Sequence, residues 1–305
     1  MIYPMNINEF ERKFGNEALC QEYLFDMKYK EGFVCEKCQN KEYWLVKGNL
    51  YECKKCGHQN RLTAGTIFVN TRKPLSMWFR AMWWITSQKN GTSALGLQRI
   101  LGIGSYETAW TWLHKLRIAM VRPWRDKLND DIEVDEAFIG GKQSGKNRGR
   151  GTDNKTLIAV AVEKNENKIG RIRLAVIKDA SNESLLEFIH NSIKKGSTVN
   201  TDGWKGYNGI ENHGYKRVIV ERKEINDDKM LPKAHLVISL LKRWIMGTLQ
   251  GSLSSQHMEY YLDEYTFRFN RRTSTSRGKL FYRLLDQAVQ MKPSTYNEII
   301  DRKGA

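Results

Sequence analysis

Two C-x-x-C pairs, Cys35-Glu-Lys-Cys38 and Cys53-Lys-Lys-Cys56, lie fourteen residues apart near the start of the chain. Each pair sets two thiolates at a chain reversal, and two facing reversals complete the four-sulfur tetrahedron that Zn²⁺ adopts in closed structural sites. Two disulfides or a redox motif are the alternatives. Disulfide frameworks belong to short secreted chains, however, and a redox C-x-x-C normally comes singly beside a strand and helix. The spacing predicts one structural Zn²⁺ held by Cys35, Cys38, Cys53 and Cys56, with Cys20 left as a buried free thiol.

A chain of 305 residues has room for a small metal module beside a full-sized core. Its 50 Lys and Arg against 34 Asp and Glu give a formal net charge of +16, which favours a polyanionic partner. Nucleic acid is preferred over membrane, because no apolar run approaches the roughly 20 residues that span a bilayer. The first residues alternate charged and apolar side chains without a signal-peptide core, so a cytoplasmic protein is expected. A reducing compartment also keeps the thiols available for metal.

Periodicity divides the chain into five segments. Residues 1–30 read as a helical lead-in, 31–74 as a zinc ribbon and linker, and 75–127 as a helical region. Within that region a short helix from Ser93, the turn Gly102-Ile103-Gly104-Ser105 and a longer helix from Tyr106 form a helix-turn-helix pattern, with Arg99, Lys115 and Arg117 expected on polar faces. A plain packing bundle has the same appearance. Residues 128–272 change to strands at 132–139, 156–162, 171–177, 198–201 and 217–220, with helices from Ser181 and Ala234, which predicts a mixed sheet flanked by helices. Residues 273–305 form a basic helical tail. Between the first two strands lies a glycine-rich cationic loop, Gly140 to Gly151, whose Lys142, Lys146, Arg148 and Arg150 are candidates for phosphate contact or simply for a solvated hairpin tip.

One aspartate interrupts a strand and another follows one. Asp135 sits inside Ile132-Glu-Val-Asp-Glu-Ala-Phe138, where a buried charge needs a reason, and Asp202 follows Thr201 at a strand end, where sheets commonly present ligands. On the helix from Ala234 almost every residue is apolar except His235, Ser239 and Lys242, which fall at i, i+4 and i+7 and form one narrow polar stripe. Two carboxylates on one sheet suit hard divalent cations in phosphodiester chemistry. Neutral imidazole is a poorer Mg²⁺ ligand, so His235 suits water positioning or proton transfer.

These stretches together resemble the insertion-sequence transposases with an N-terminal zinc ribbon and a ribonuclease-H-like DDE core. The resemblance is carried by the ribbon cysteines, Val134-Asp-Glu-Ala-Phe-Ile-Gly-Gly141, Thr201-Asp-Gly-Trp-Lys-Gly-Tyr207, Ser239 to Thr248, and Tyr261 to Arg272. It implies an α+β multidomain protein: zinc ribbon, helix-turn-helix-like region and ribonuclease-H-like mixed sheet. It further implies Asp135 and Asp202 as the first two catalytic acids holding Mg²⁺ or Mn²⁺, His235 in the third catalytic position, where many relatives carry Glu or Asn, and Lys242 as the lysine that follows. The implied activity is metal-dependent cleavage of double-stranded DNA at element ends and strand transfer into target DNA by a homo-dimer or higher assembly. Tyr106, Thr108, Thr111 and Lys115, with Arg99, Lys242, Arg271 and Arg272, are the expected DNA contacts. A non-catalytic zinc-ribbon and helix-turn-helix DNA-binding regulator, or a decayed element protein, is the competing class, and a regulator has no use for the paired aspartates.

Overall fold

A computed structural model describes residues 3–47, 50–122, 124–140, 155–166, 168–220, 230–250 and 253–301. The chain forms two compact units, one of residues 1–122 with 274–301, the other centred on residues 123–273. The basic Lys142, Lys146, Arg148 and Arg150 lie outside the described residues. Among the described residues no helix is long and apolar enough to cross a membrane.

In the first unit, the single helix expected over the lead-in is two, α1 (Ile7–Phe14) and α2 (Glu17–Lys28). The break is written locally: Asn16 caps α2 by accepting the Leu19 amide, and Gly15 sits where a Cβ would stand 2.5 Å from the Glu11 carbonyl oxygen. The ribbon is an antiparallel three-stranded sheet, β1 (Tyr43–Leu45), β2 (Leu50–Cys53) and β3 (Gln59–Arg61). Its third strand was not expected, because Gln59-Asn-Arg61 has no apolar alternation to announce it.

Helices α3 (Leu75–Ser87), α4 (Ala94–Leu101) and α5 (Tyr106–Ala119) complete the helix-turn-helix-like region. Ser93 and Ser105 cap α4 and α5, and Gly102 ends α4 at φ 63°, the left-handed conformation a glycine takes without strain. The tail supplies α9 (Arg277–Gln290), which packs on α3 in the same unit. Phe281 joins Phe10, Phe14, Phe79 and Trp83 in an aromatic core. Trp78 and Trp112 stack with ring centroids 3.8 Å apart, so these tryptophans belong to the core.

The second unit is built on a five-stranded sheet in the order β6-β5-β4-β7-β8. Its strands are β4 (Asp131–Ile139), β5 (Thr156–Asn165), β6 (Lys168–Val176), β7 (Thr198–Thr201) and β8 (Lys216–Ile219). The first three form an antiparallel meander, while β7 and β8 run parallel to β4. This is the ribonuclease-H-like mixed sheet, with helices on both faces. Ile158, Val160 and Val162 of β5 pack under α7 (Pro232–Leu249) and α8 (Met258–Phe269). The alternate Ala159 and Ala161 lie with Ile132 and Val134 against α6 (Asn182–Ser192). Burial on both faces explains why β5 reads as a continuous apolar run.

The end of α8 closes one sheet edge. Asn270 accepts the Ile172 amide at 2.7 Å and donates to the Ile172 carbonyl at 3.1 Å, imitating a neighbouring strand. Arg272 donates to the carbonyls of Gly170, Ile169 and Phe269.

Behind β7 the chain turns tightly against α6. A Cβ at Gly206 would lie 2.5 Å from the Ala180 carbonyl oxygen and 2.6 Å from Trp204 Nε1. Gly206→Ala is therefore expected to destabilise this unit by about 1–3 kcal/mol, the usual cost of overpacking. Urea unfolding should show a lower midpoint at unchanged slope; an unchanged midpoint would mean that the turn yields freely.

Candidate active site

Parallel pairing of β4 with β7 brings the two aspartates to one place. The register runs Asp131 to Thr198, Ile132 to Val199 and Glu133 to Asn200, so two further steps set Asp135 beside Asp202, just past the end of β7. Their charges interact, the Asp202 carboxylate pushing the Asp135 carboxyl upward. Asp135 Oδ1 accepts the Glu136 amide at 2.9 Å, and Asp202 Oδ1 accepts the Trp204 amide at 3.0 Å in an Asx-type turn.

Arg217 on β8 fixes this turn. Its guanidinium donates to Thr201 Oγ1 at 3.1 Å and to the carbonyls of Asp202 and Trp204 at 3.3 and 3.1 Å. Trp204 Nε1 donates to the Ala180 carbonyl at 2.8 Å.

The third element comes from the opposite layer. His235 Nε2 lies 3.3 Å from Asp135 Oδ2, on the first turns of α7. The polar stripe expected on this helix is present: His235 is half-buried, Ser239 and Lys242 are exposed, and Val237, Ile238 and Leu241 are buried. Asp135, Glu136, His235 and Lys242 line one cavity of about 740 Å³, whose remaining wall includes Phe138, Lys155, Ile238 and Met246. Asp202 is not part of that lining, so it stands at the carboxylate cluster rather than along the groove.

Two further residues join the site beyond those the sequence assigned to catalysis. Glu136 accepts the Tyr207 hydroxyl at 2.5 Å and faces both aspartates electrostatically. Lys155 joins the cavity from the start of the following strand segment, without a motif around it.

The electrostatics resemble those of an acid cluster awaiting positive charge. Burial is the main cause that raises Asp135 above the usual carboxylate range; His235 and the Glu136 amide oppose it, and Asp202 and Glu133 reinforce it. Burial likewise raises Glu136, with Asp135 and Asp202 adding to the shift and the Tyr207 hydroxyl opposing it. Oxygen donors gathered against their own repulsion are the donor set that a hard divalent cation takes.

The ribbon holds a separate, sulfur-based centre. The four thiol Sγ atoms all lie within 4.8 Å of one another, with Cys35 to Cys56 at 3.7 Å and Cys38 to Cys53 at 3.5 Å. Zn–S bonds of about 2.3 Å give tetrahedron edges of about 3.8 Å, so these thiols fit zinc and are too far apart for disulfides. Gln39 and Gly57, at φ 62° and 66°, close the two knuckles by donating to the Cys35 and Cys53 carbonyls. Buried Asn60 ties them together: its Oδ1 accepts the Glu36 amide, and its Nδ2 lies 3.8 Å from Cys35 Sγ and donates to the carbonyls of Tyr51 and His58.

The expected DNA contacts divide in the structure. Arg99 and Tyr106 are exposed. Thr108, Thr111 and Lys115 line a cavity of about 400 Å³ with Asn70, Arg72, Lys73 and Tyr296 of the same unit. Arg72 and Lys73 are cations that the helical pattern did not reveal, since they lie in the linker. Tyr296 begins α10 (Tyr296–Asp301), which packs on α5. Burial pushes the Lys115 amine down, partly offset by Glu298 on that helix.

Arg117, expected on a polar face, is buried instead, while Arg271 and Arg272 make contacts within the second unit. Arg117 is 2% exposed, with Nη1 3.5 Å from His114 Nε2, because α5 is packed on more than one side. Arg272 is engaged by sheet-edge carbonyls, and Arg271 lies 4.1 Å over the Phe267 ring while donating to the Phe267 carbonyl. Their guanidinium groups hold α8 and its neighbours. Glu264, buried on the same helix, pairs with Arg268 at 2.8 Å and is a structural acid.

Comparison with known families agrees with this architecture. Residues 127–270, the span that holds Asp135, Asp202 and His235, match the family described as the ISXO2-like transposase domain. This span is a transposase domain. Residues 15–59, which include all four ribbon cysteines, match the transposase zinc-ribbon domain. Both matches are to transposase domains, so the chain carries a transposase zinc ribbon followed by an ISXO2-like transposase domain. A search of curated proteins found no match.

Proposed function

We propose that this transposase domain binds the ends of its own insertion sequence, cleaves the DNA there to expose 3′ hydroxyls, and joins those ends to a target. The observation that carries the reading is the juxtaposition of Asp135 and Asp202 on neighbouring parallel strands, with His235 on Asp135. Asp135 and Asp202 would hold Mg²⁺ or Mn²⁺, which when bound supplies Lewis-acid activation of the attacking oxygen and stabilisation of the leaving one. His235, in hydrogen-bond reach of Asp135, orients water or the attacking hydroxyl and moves a proton from it. A DDE-type role with histidine in the third position is the reading adopted for this residue.

Exposed Lys242, two turns along from His235 on the wall of the same cavity, pairs with a backbone phosphate and holds the strand in line for displacement. Arg99, Tyr106, Thr108, Thr111 and Lys115, with Arg72 and Lys73, make up the recognition surface of the first unit. Two element ends have to be held together, so the working form is a dimer or higher assembly.

The test uses a duplex copied from the DNA flanking the gene, with its inverted repeat intact. Purified protein and Mg²⁺ or Mn²⁺ should give a cut at the repeat terminus with a free 3′ hydroxyl. Tight, salt-sensitive binding of that duplex with no cutting under either metal would favour the non-catalytic DNA-binding class. Lys242→Ala should weaken binding at every sequence alike and lower the salt slope by about one. An unchanged slope would remove Lys242 from the DNA path.

A further inference from the structure

Glu133 lies two residues before Asp135 and is 3% exposed, yet among the described residues it forms no ion pair with a cation. A buried carboxylate needs hydrogen bonds to persist. Its partners are the backbone amides of Lys233 and Ala234, both donated to Glu133 Oε2 at 2.8 Å. Those amides belong to the first turn of α7, whose N-cap, Leu231, has no side chain that caps the helix. The strand thus provides the cap that the helix sequence lacks, and the negative charge meets the positive end of the helix dipole.

The geometry points to Glu133 as a positioning residue for His235. Strand alternation puts Glu133 and Asp135 on the same face of β4. One thus grips the first turn of α7 while the other meets His235, the residue immediately after Ala234. The strand that carries the first acid sets the depth and rotation of the helix that carries the third residue. Glu133 itself touches neither substrate nor metal in this account; it acts through His235. The inference rests on the cleavage reading above.

The experiment compares Glu133→Gln and Glu133→Asp with wild type and with Asp135→Asn, in Mn²⁺-dependent cleavage of the element-end duplex by the full chain. Glutamine keeps an acceptor at the same reach and loses the charge. Aspartate keeps the charge and falls one methylene short of the amides. Glu133→Gln should cut within about threefold of wild type, and Glu133→Asp should lose about 10- to 100-fold in kcat at unchanged KM for DNA, the scale of a displacement of about 1 Å.

Thermal unfolding of both variants separates positioning from simple loss of folded protein, since the fall in kcat should persist well below the Tm. A charge-based role predicts the reverse order of the two variants. Glu133→Gln as inactive as Asp135→Asn, or Glu133→Asp as active as wild type, would overturn the inference. If Glu133→Asp does not fold at the assay temperature, the glutamine variant decides alone, a loss beyond about tenfold counting against it. Wild-type cutting by Asp135→Asn would instead overturn the cleavage reading itself.

Discussion

Asp135→Asn and Asp202→Asn should each reduce divalent-metal-dependent strand cleavage by about a thousandfold or more, while DNA affinity stays within a few-fold of wild type. The magnitude follows from the several kcal/mol of transition-state charge stabilisation that metal ions supply, at about 1.4 kcal/mol per tenfold in rate. Asparagine suits the test because it preserves the local structure. At Asp135 its side-chain carbonyl can still accept the Glu136 amide, and at Asp202 the Trp204 amide.

Stability should move the other way. Burial and the neighbouring carboxylates disfavour ionised Asp135, so removing that charge relieves repulsion in the metal-free protein. Asp135→Asn should therefore unfold at the same or a higher temperature than wild type without divalent metal. Loss of cutting together with a large drop in Tm would point to a structural role for the aspartate, and undiminished cutting would remove it from catalysis.

Stripping the metal, or replacing Cys53 with serine, should unfold the ribbon while leaving the five-stranded sheet of the second unit formed. Structural Zn²⁺ contributes roughly 10–16 kcal/mol of apparent binding free energy in small zinc domains. The ribbon's own sheet has strands of only 3, 4 and 3 residues, too little to fold without the metal. Metal analysis should find one zinc per chain in the native protein. Amide NMR signals from residues 31–61 should collapse to disordered positions on chelation, and binding to the element end should weaken. Native dispersion in the metal-free ribbon would contradict a structural zinc.

Much of this architecture was legible in the residues. The five strands of the mixed sheet fall within a few residues of the expected positions; β5 is the plainest of them, an apolar run buried on both faces. The ribbon cysteines and the His235 to Lys242 stripe were equally plain, since metal-ligand spacing and helical periodicity are local properties.

The features that were not legible depend on distant partners. Nothing around Glu133 announces that it caps a helix one hundred residues later. Arg272 reads as a DNA contact, and only the fold shows it meeting the edge carbonyls of β6; Arg117 reads as a surface cation until neighbouring helices cover α5. In each case a polar side chain makes contacts within its own unit that charge pattern alone does not reveal. The third strand of the ribbon escaped for a related reason: Gln59-Asn-Arg61 is polar, and its pairing is secured by the buried Asn60 rather than by apolar side chains.

The most direct test of the active-site assignment is a crystal of the transposase soaked in Mn²⁺ and measured for anomalous scattering. The account predicts a peak at the β4–β7 junction, bonded at about 2.0–2.3 Å, as oxygen-ligated divalent cations are, to carboxylate oxygens of both Asp135 and Asp202. A manganese ion bound elsewhere in the same crystal, with none between these two aspartates, would contradict it.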